Sequence, residues 1–253
     1  MSYAAGRLIH DADSHLMEMP DCLDPYFDRR LLARYHALPS FQAKLKRAKW
    51  LEAERAKHED AAFRAGAEGA ILLRKNYEAL GAFNAFDRPA VMDLLGFASQ
   101  LVFTTFCLGN FGLDQSGDME LCYAAADAHN RMMTDFCAVD RRLLAVAYVP
   151  LEDFKRAEVT AKLAVKLGAK ALMVPSVCPQ NHGPSHIGLD PVWRIAEEAG
   201  IPILLHVGGE EKLNPVYKQN GLPPVPDFHG GDDNFTSVSY MPIPQSAMQT
   251  LAT

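Results

Sequence analysis

The chain has 253 residues, 49% of them hydrophobic and 22% charged, with 25 Lys and Arg against 31 Asp and Glu for a net charge of −6. These proportions exclude a disordered or fibrous chain, and a negative charge without a basic stripe removes the driving force for phosphate-backbone binding, so no nucleic-acid partner is expected. The longest strongly apolar run, near Leu101 to Leu108, is far shorter than the roughly 20 residues of a bilayer-spanning helix. No basic segment followed by an apolar one opens the sequence, so the expectation is a cytoplasmic protein without a membrane partner. Five scattered cysteines (Cys22, Cys107, Cys122, Cys137 and Cys178), with no C-x-x-C pair, fit reduced thiols rather than a disulfide framework.

The first element is a short apolar run, Leu8 and Ile9, passing directly into Asp11-Ala-Asp13-Ser-His15, which reads as a strand whose C-terminal end turns polar. A charged region follows from about 20 to 85, Ala-rich between Phe41 and Ala67, with helical spacing and no catalytic motif. Its Lys, Arg and Glu density predicts exposed helices inserted after the first strand, and the stretch from Phe41 to Ala67 is expected to be removable with metal binding intact. After Asp87-Arg88-Pro89 the spacing predicts a short helix over Ala90 to Leu95 and a strand over Gln100 to Phe106. Helices over 118–139, 153–167 and 191–199 then alternate with strands over 143–149, 169–174 and 201–206. The later strands are nearly continuous in apolar residues, as parallel strands covered on both faces must be, and the alternation predicts a parallel α/β fold in one domain. Gly168 and Gly200 supply helix-to-strand turns. A long loop rich in Gly, Pro, Asn and Asp over 208–244 and the start of a helix over 245–253 complete the pattern.

Chemistry-bearing residues gather at the strand ends. Residues two apart on a strand share a face, so Asp11, Asp13 and His15 are expected to point the same way, and a carboxylate with an imidazole at this spacing can chelate a divalent metal. An Asp-rich strand end is also a common cap or turn. Pro202-Ile-Leu-Leu-His206-Val-Gly-Gly209 places a second histidine at the end of a buried strand, and in a parallel barrel the strand ends converge on one functional face.

The segment His10-Asp-Ala-Asp13-Ser-His15-Leu-Met-Glu18 resembles the opening of the amidohydrolase-related family, in the branch that holds aminocarboxymuconate-semialdehyde decarboxylase and the dihydroxybenzoate decarboxylases. The segment Asp190-Pro-Val-Trp193 through His206-Val-Gly-Gly209 is similar to the same family's fourth helix and fifth strand. The resemblance implies a metal-dependent (β/α)₈ TIM barrel, with Asp13, His15 and His206 as metal ligands and one divalent ion, Zn or Mn. The fourth strand ends Met173-Val174-Pro175-Ser176, without the carbamylated lysine of binuclear members, so a mononuclear site is implied. Members of this branch carry either His or an acid at the first ligand position, and the acid here tilts the reading from hydrolysis toward decarboxylation of a small carboxylated or cyclic substrate.

Only five strands are found, and eight cannot close on five, so the expected fold is an incomplete barrel, with its outer strands open or covered by another copy or a partner chain. The alternative to an enzyme is a non-catalytic shortened barrel or interaction subunit with residual metal binding. Asp11, Glu18, His182 and His186 are further candidates for touching substrate or for orienting a ligand through a hydrogen bond. Cys178 with His182 and His186 is a weaker zinc candidate that lacks a fourth ligand, and His229 reads as a loop residue.

Overall fold

The computed structural model of the chain describes residues 2–107, 113–176, 179–184 and 186–206. Cys178, His229 and everything expected beyond His206 lie outside them.

Among the described residues five strands form one sheet in the order β1-β2-β3-β4-β5: β1 (His10–His15), β2 (Ser99–Phe103), β3 (Leu143–Tyr148), β4 (Ala171–Val174) and β5 (Ile203–Leu205). All four pairings are parallel. Helices α6 (Met119–Cys137), α7 (Phe154–Leu167) and α8 (Asp190–Ala199) make the crossovers from β2 onward. A parallel neighbour can be reached only by such a crossover, which is why the strand and helix patterns alternate in the sequence. Asp118 and Asp153 cap α6 and α7 by accepting from backbone N–H groups of the first turn. Gly168 and Gly200 end α7 and α8 at φ of 101° and 64°, in the left-handed region that a side chain disfavours.

The period of two divides the sheet into two faces. Phe103, Val146, Tyr148, Ala171 and Met173 pack together on one face, with Leu101 and Leu204 beside them. Val102, Ala145, Ala147, Leu172 and Val174 join the main core on the other, against the small buried face of α7 formed by Ala157, Ala161 and Ala164. Beyond the end of β2, the side chain of Asn130 in α6 stands in for a missing strand. Its Oδ1 accepts from the Tyr148 N–H at 2.7 Å and its Nδ2 donates to the Tyr148 carbonyl at 2.9 Å.

Two sequence expectations are revised. The first strand begins at His10, and Leu8 is 79% exposed, so β1 is held by pairing with β2 rather than by an apolar run of its own. The segment between β1 and β2 is helical: α1 (Arg29–His36), α2 (Pro39–Leu45), α3 (Ala48–Lys57), α4 (Ala61–Gly69) and α5 (Arg88–Leu95). It does not stand apart from the sheet. Phe41 is buried in the main core against Tyr35, Leu51 is buried, and Tyr77 stacks on Phe106 just beyond β2.

Candidate active site

At the C-terminal ends of β1 and β5 three donor atoms meet. His15 Nε2 lies 3.2 Å from Asp13 Oδ1, His206 Nε2 lies 3.3 Å from the same oxygen, and the two imidazole nitrogens are 3.2 Å apart. Asp13 and His15 share a face because they are two apart on β1. His206 directly follows β5, where the Ser176 hydroxyl donates to its carbonyl at 2.9 Å and ties it to the end of β4. Phe103 stacks on His15 with centroids 5.6 Å apart and meets His206 at 4.9 Å, giving the pair an apolar backing.

These residues fit a metal ion. Ligands bound to one ion at about 2.0–2.2 Å lie about 2.8–3.6 Å from one another in tetrahedral or octahedral arrangements, and all three separations fall in that range. The His15 ring is also fixed in the right sense. Its Nδ1 meets the Thr104 carbonyl at 2.8 Å and the Thr105 hydroxyl at 3.2 Å. A carbonyl can only accept, so Nδ1 carries the proton and Nε2 turns its lone pair toward Asp13 and His206. One carboxylate and two imidazoles suit Zn or Mn.

Asp11 does not join them. The β1–β2 register shifts between Asp11 and Ser14, breaking the alternation, and the Asp11 carboxylate accepts instead from the Asp13 N–H at 3.1 Å and from Gln100 Nε2 at 3.2 Å. Glu18 is buried, and its carboxylate takes the backbone N–H groups of Thr105, Phe106 and Cys107 at 2.9–3.1 Å. His182 and His186 are set around Phe154 at the start of α7, with ring centroids 4.4 and 4.8 Å from it. His186 Nδ1 also accepts from the Gly188 N–H.

The sequence reading misses Arg88. This side chain is 4% exposed and its guanidinium donates to the carbonyls of Gly81 and His15 and to the Ser14 hydroxyl, each at 2.5 Å. It thereby clasps the end of β1 beside Asp13 and His15. Burial lowers its pKa to about 10, so it stays charged at neutral pH. Gly81 leaves it room: a Cβ there would stand 2.8 Å from the Arg88 stem. Nothing in Asp87-Arg88-Pro89, which reads as a helix start, distinguishes a buried arginine from a surface one.

Asp13, His15 and His206 open into a cleft of about 750 Å³, whose wall includes Arg74, Lys75, Asn76 and Arg88. The segment between β1 and β2 thus builds part of the site through residues 71–76, which lie outside the stretch from Phe41 to Ala67 expected to be removable. Asn76 holds a φ of 53°, a left-handed conformation uncommon outside glycine, at the lip of this wall.

The Amidohydrolase family profile matches residues 47–252. The chain belongs to that family, one of metal-dependent hydrolases and decarboxylases. The match begins after β1, so it covers His206 and not Asp13 or His15. Among solved structures, the chain is similar to an amidohydrolase of Mycobacterium avium subsp. paratuberculosis, with 19% identity, a TM-score of 0.63 and coverage of 97% of this chain and 68% of that one. It is also similar to the 5-carboxyvanillate decarboxylase of Novosphingobium aromaticivorans carrying bound manganese and 3-methoxy-4-hydroxy-5-nitrobenzoic acid, with 16% identity, a TM-score of 0.51 and coverage of 95% and 61%. A second structure of that decarboxylase, also with manganese, gives 15% identity and covers 95% and 60%. The chain therefore spans 60–68% of the length of these neighbours. No curated protein sequence matches it. Among the described residues no helix is long and apolar enough to cross a membrane.

Proposed function

We propose that the chain carries the metal-binding side of a mononuclear carboxy-lyase acting on a small carboxylated substrate, with Asp13, His15 and His206 holding one Mn or Zn ion. The observation that carries this reading is the meeting of the three donor atoms in a cleft whose lining also includes Arg74, Lys75 and Arg88. With a divalent ion added, cations outnumber the acids Asp11 and Asp13 in that cleft, a field that draws and orients an anionic substrate. The acid at position 13 and the manganese-bound decarboxylase neighbours favour decarboxylation over hydrolysis.

The ion would supply Lewis-acid polarisation of a substrate oxygen. The chain's own residues orient and hold. Thr104 keeps the His15 proton on Nδ1, so that the ring presents a lone pair. Phe103 backs both histidines with apolar surface and excludes water from that side. Arg88 fixes the backbone of His15 and adds permanent positive charge.

A second reading is a metal-binding subunit without turnover of its own, since the triangle of donor atoms by itself calls for an ion and not for a reaction. Carboxyl-labelled hydroxybenzoates and simple lactones, incubated with the Mn²⁺- and Zn²⁺-loaded protein, separate the readings. Release of labelled CO₂ that Asp13→Ala abolishes supports the carboxy-lyase. Lactone opening without CO₂ release makes the protein a hydrolase, and stoichiometric metal with neither reaction leaves the subunit reading.

A further inference from the structure

Glu18 stands three residues beyond His15, outside β1, and is 3% exposed. Its Oε1 accepts from the N–H groups of Thr105 and Cys107, each at 3.0 Å, and its Oε2 from those of Thr105 at 2.9 Å and Phe106 at 3.1 Å. Three successive backbone N–H groups turned onto one carboxylate form the kind of concave nest that a chain builds around an anion, here supplied from 87 to 89 residues away in its own sequence. The turn so gathered begins at Thr104, directly after β2. Its first members, the Thr104 carbonyl and the Thr105 hydroxyl, are the two groups that meet His15 Nδ1.

We propose that Glu18 is a positioning residue for the metal site: it folds the turn after β2 so that the Thr104 carbonyl holds His15 as the Nδ1–H tautomer, with Nε2 facing Asp13 and His206. The inference rests on the reading of those three residues as metal ligands. A carboxylate suits the role because it only accepts, whereas a glutamine would set its NH₂ against one of the three N–H donors and release part of the turn. Glu18 touches neither the ion's position nor the Asp13 carboxylate in this arrangement. It acts on the imidazole through the backbone, and groups that orient a metal-bound histidine typically matter about 10 to 100-fold in affinity.

The test compares the full chain with its Glu18→Gln and His15→Ala variants at pH 8, using Zn²⁺ alone as the probe in calorimetric titration and imidazole ¹⁵N NMR of the metal-free protein to read the His15 tautomer. Wild type is expected to show the Nδ1–H form and to bind Zn²⁺. Glu18→Gln is expected to bind about 10 to 100-fold more weakly, with His15 shifted toward a mixture of tautomers. A merely structural role would lower the unfolding midpoint and leave the tautomer unmoved. If Glu18→Gln does not fold, Glu18→Asp, which keeps the charge and shortens the reach, is read the same way, and an Nε2–H tautomer in wild type overturns the proposal without any variant. Zn²⁺ binding absent from wild type, or surviving His15→Ala, fails the metal reading itself. Binding lost in His15→Ala but unchanged in Glu18→Gln, with the tautomer unmoved, fails the role of Glu18 alone.

Discussion

His15 Nε2 and His206 Nε2 face each other at 3.2 Å across 191 residues of sequence, and Asp13 Oδ1 closes the triangle. Where no proton lies among them, two imidazole nitrogens and a carboxylate oxygen at this range turn three lone pairs onto one point, the arrangement that a metal cation fills.

Saturating the site with an ion should stabilise the fold by mass action. At about 100 times its dissociation constant an ion bound only by the native state adds roughly 2.7 kcal/mol, or about 5 to 10 °C for a chain of this size. Differential scanning fluorimetry with Mn²⁺ or Zn²⁺ should show that rise in wild type and none in His206→Ala. A rise of equal size in both would place the ion elsewhere.

Arg88→Met keeps most of the apolar stem and removes the guanidinium, leaving the Gly81 and His15 carbonyls and the Ser14 hydroxyl without this donor. Losing a donor to buried acceptors costs about 1 to 3 kcal/mol each, so a total of about 3 kcal/mol or more is expected, lowering the unfolding midpoint by about 6 to 12 °C. Gly81→Ala should move in the same direction, because its Cβ would press on the Arg88 stem at a φ of 75°. Thermal unfolding within 2 °C of wild type, on the order of experimental error, would show that the clasp contributes little.

Two buried groups should give the stability a concealed pH dependence. Burial raises the Asp114 carboxyl to about 6, against hydrogen bonds from Tyr148 and Cys122 that act in the opposite sense. Between about pH 4 and 6 the native state therefore holds a proton that the unfolded chain has lost, and this group's contribution falls as pH rises. Burial lowers His129 to about 4, so between 6.5 and 4 the unfolded chain takes up a proton first, and this contribution is lost as pH falls. Each amounts to about 3 kcal/mol, and from about pH 4 to 6 they oppose each other. Urea unfolding at pH 4.5 and 6.0 should find Asp114→Asn gaining stability with pH more steeply than wild type, and His129→Leu losing it. Parallel pH profiles for all three proteins would contradict the assignment.

The parallel core is legible in the sequence because β3 and β4 are apolar at every position, a pattern that only strands covered on both faces need. The proximity of Asp13 to His15 is legible too, since a period of two is a property of any strand. The shift after Asp11 is not, because a bulge depends on the partner strand. Glu18 shows why the support of a site is harder to read than its donors: the acid is plain in the sequence, but its partners are backbone N–H groups, which every residue carries, 87 or more positions away. Arg88 and the cleft wall at residues 74–76 fail to stand out for a related reason. A charge-rich helical segment reads as solvent-facing, and only its packing against Phe106 and β1 turns part of it inward.

One ion shared by Asp13, His15 and His206 is the centre of the proposed site, and metal analysis by inductively coupled plasma mass spectrometry, after equilibrium dialysis against Mn²⁺ and Zn²⁺, tests this most directly. Wild type should retain about one ion per chain, the single-site stoichiometry of mass-action binding. Asp13→Ala, His15→Ala and His206→Ala, each folded by circular dichroism, should retain close to none. Wild type without bound metal, or one ion per chain kept by all three variants, would contradict it.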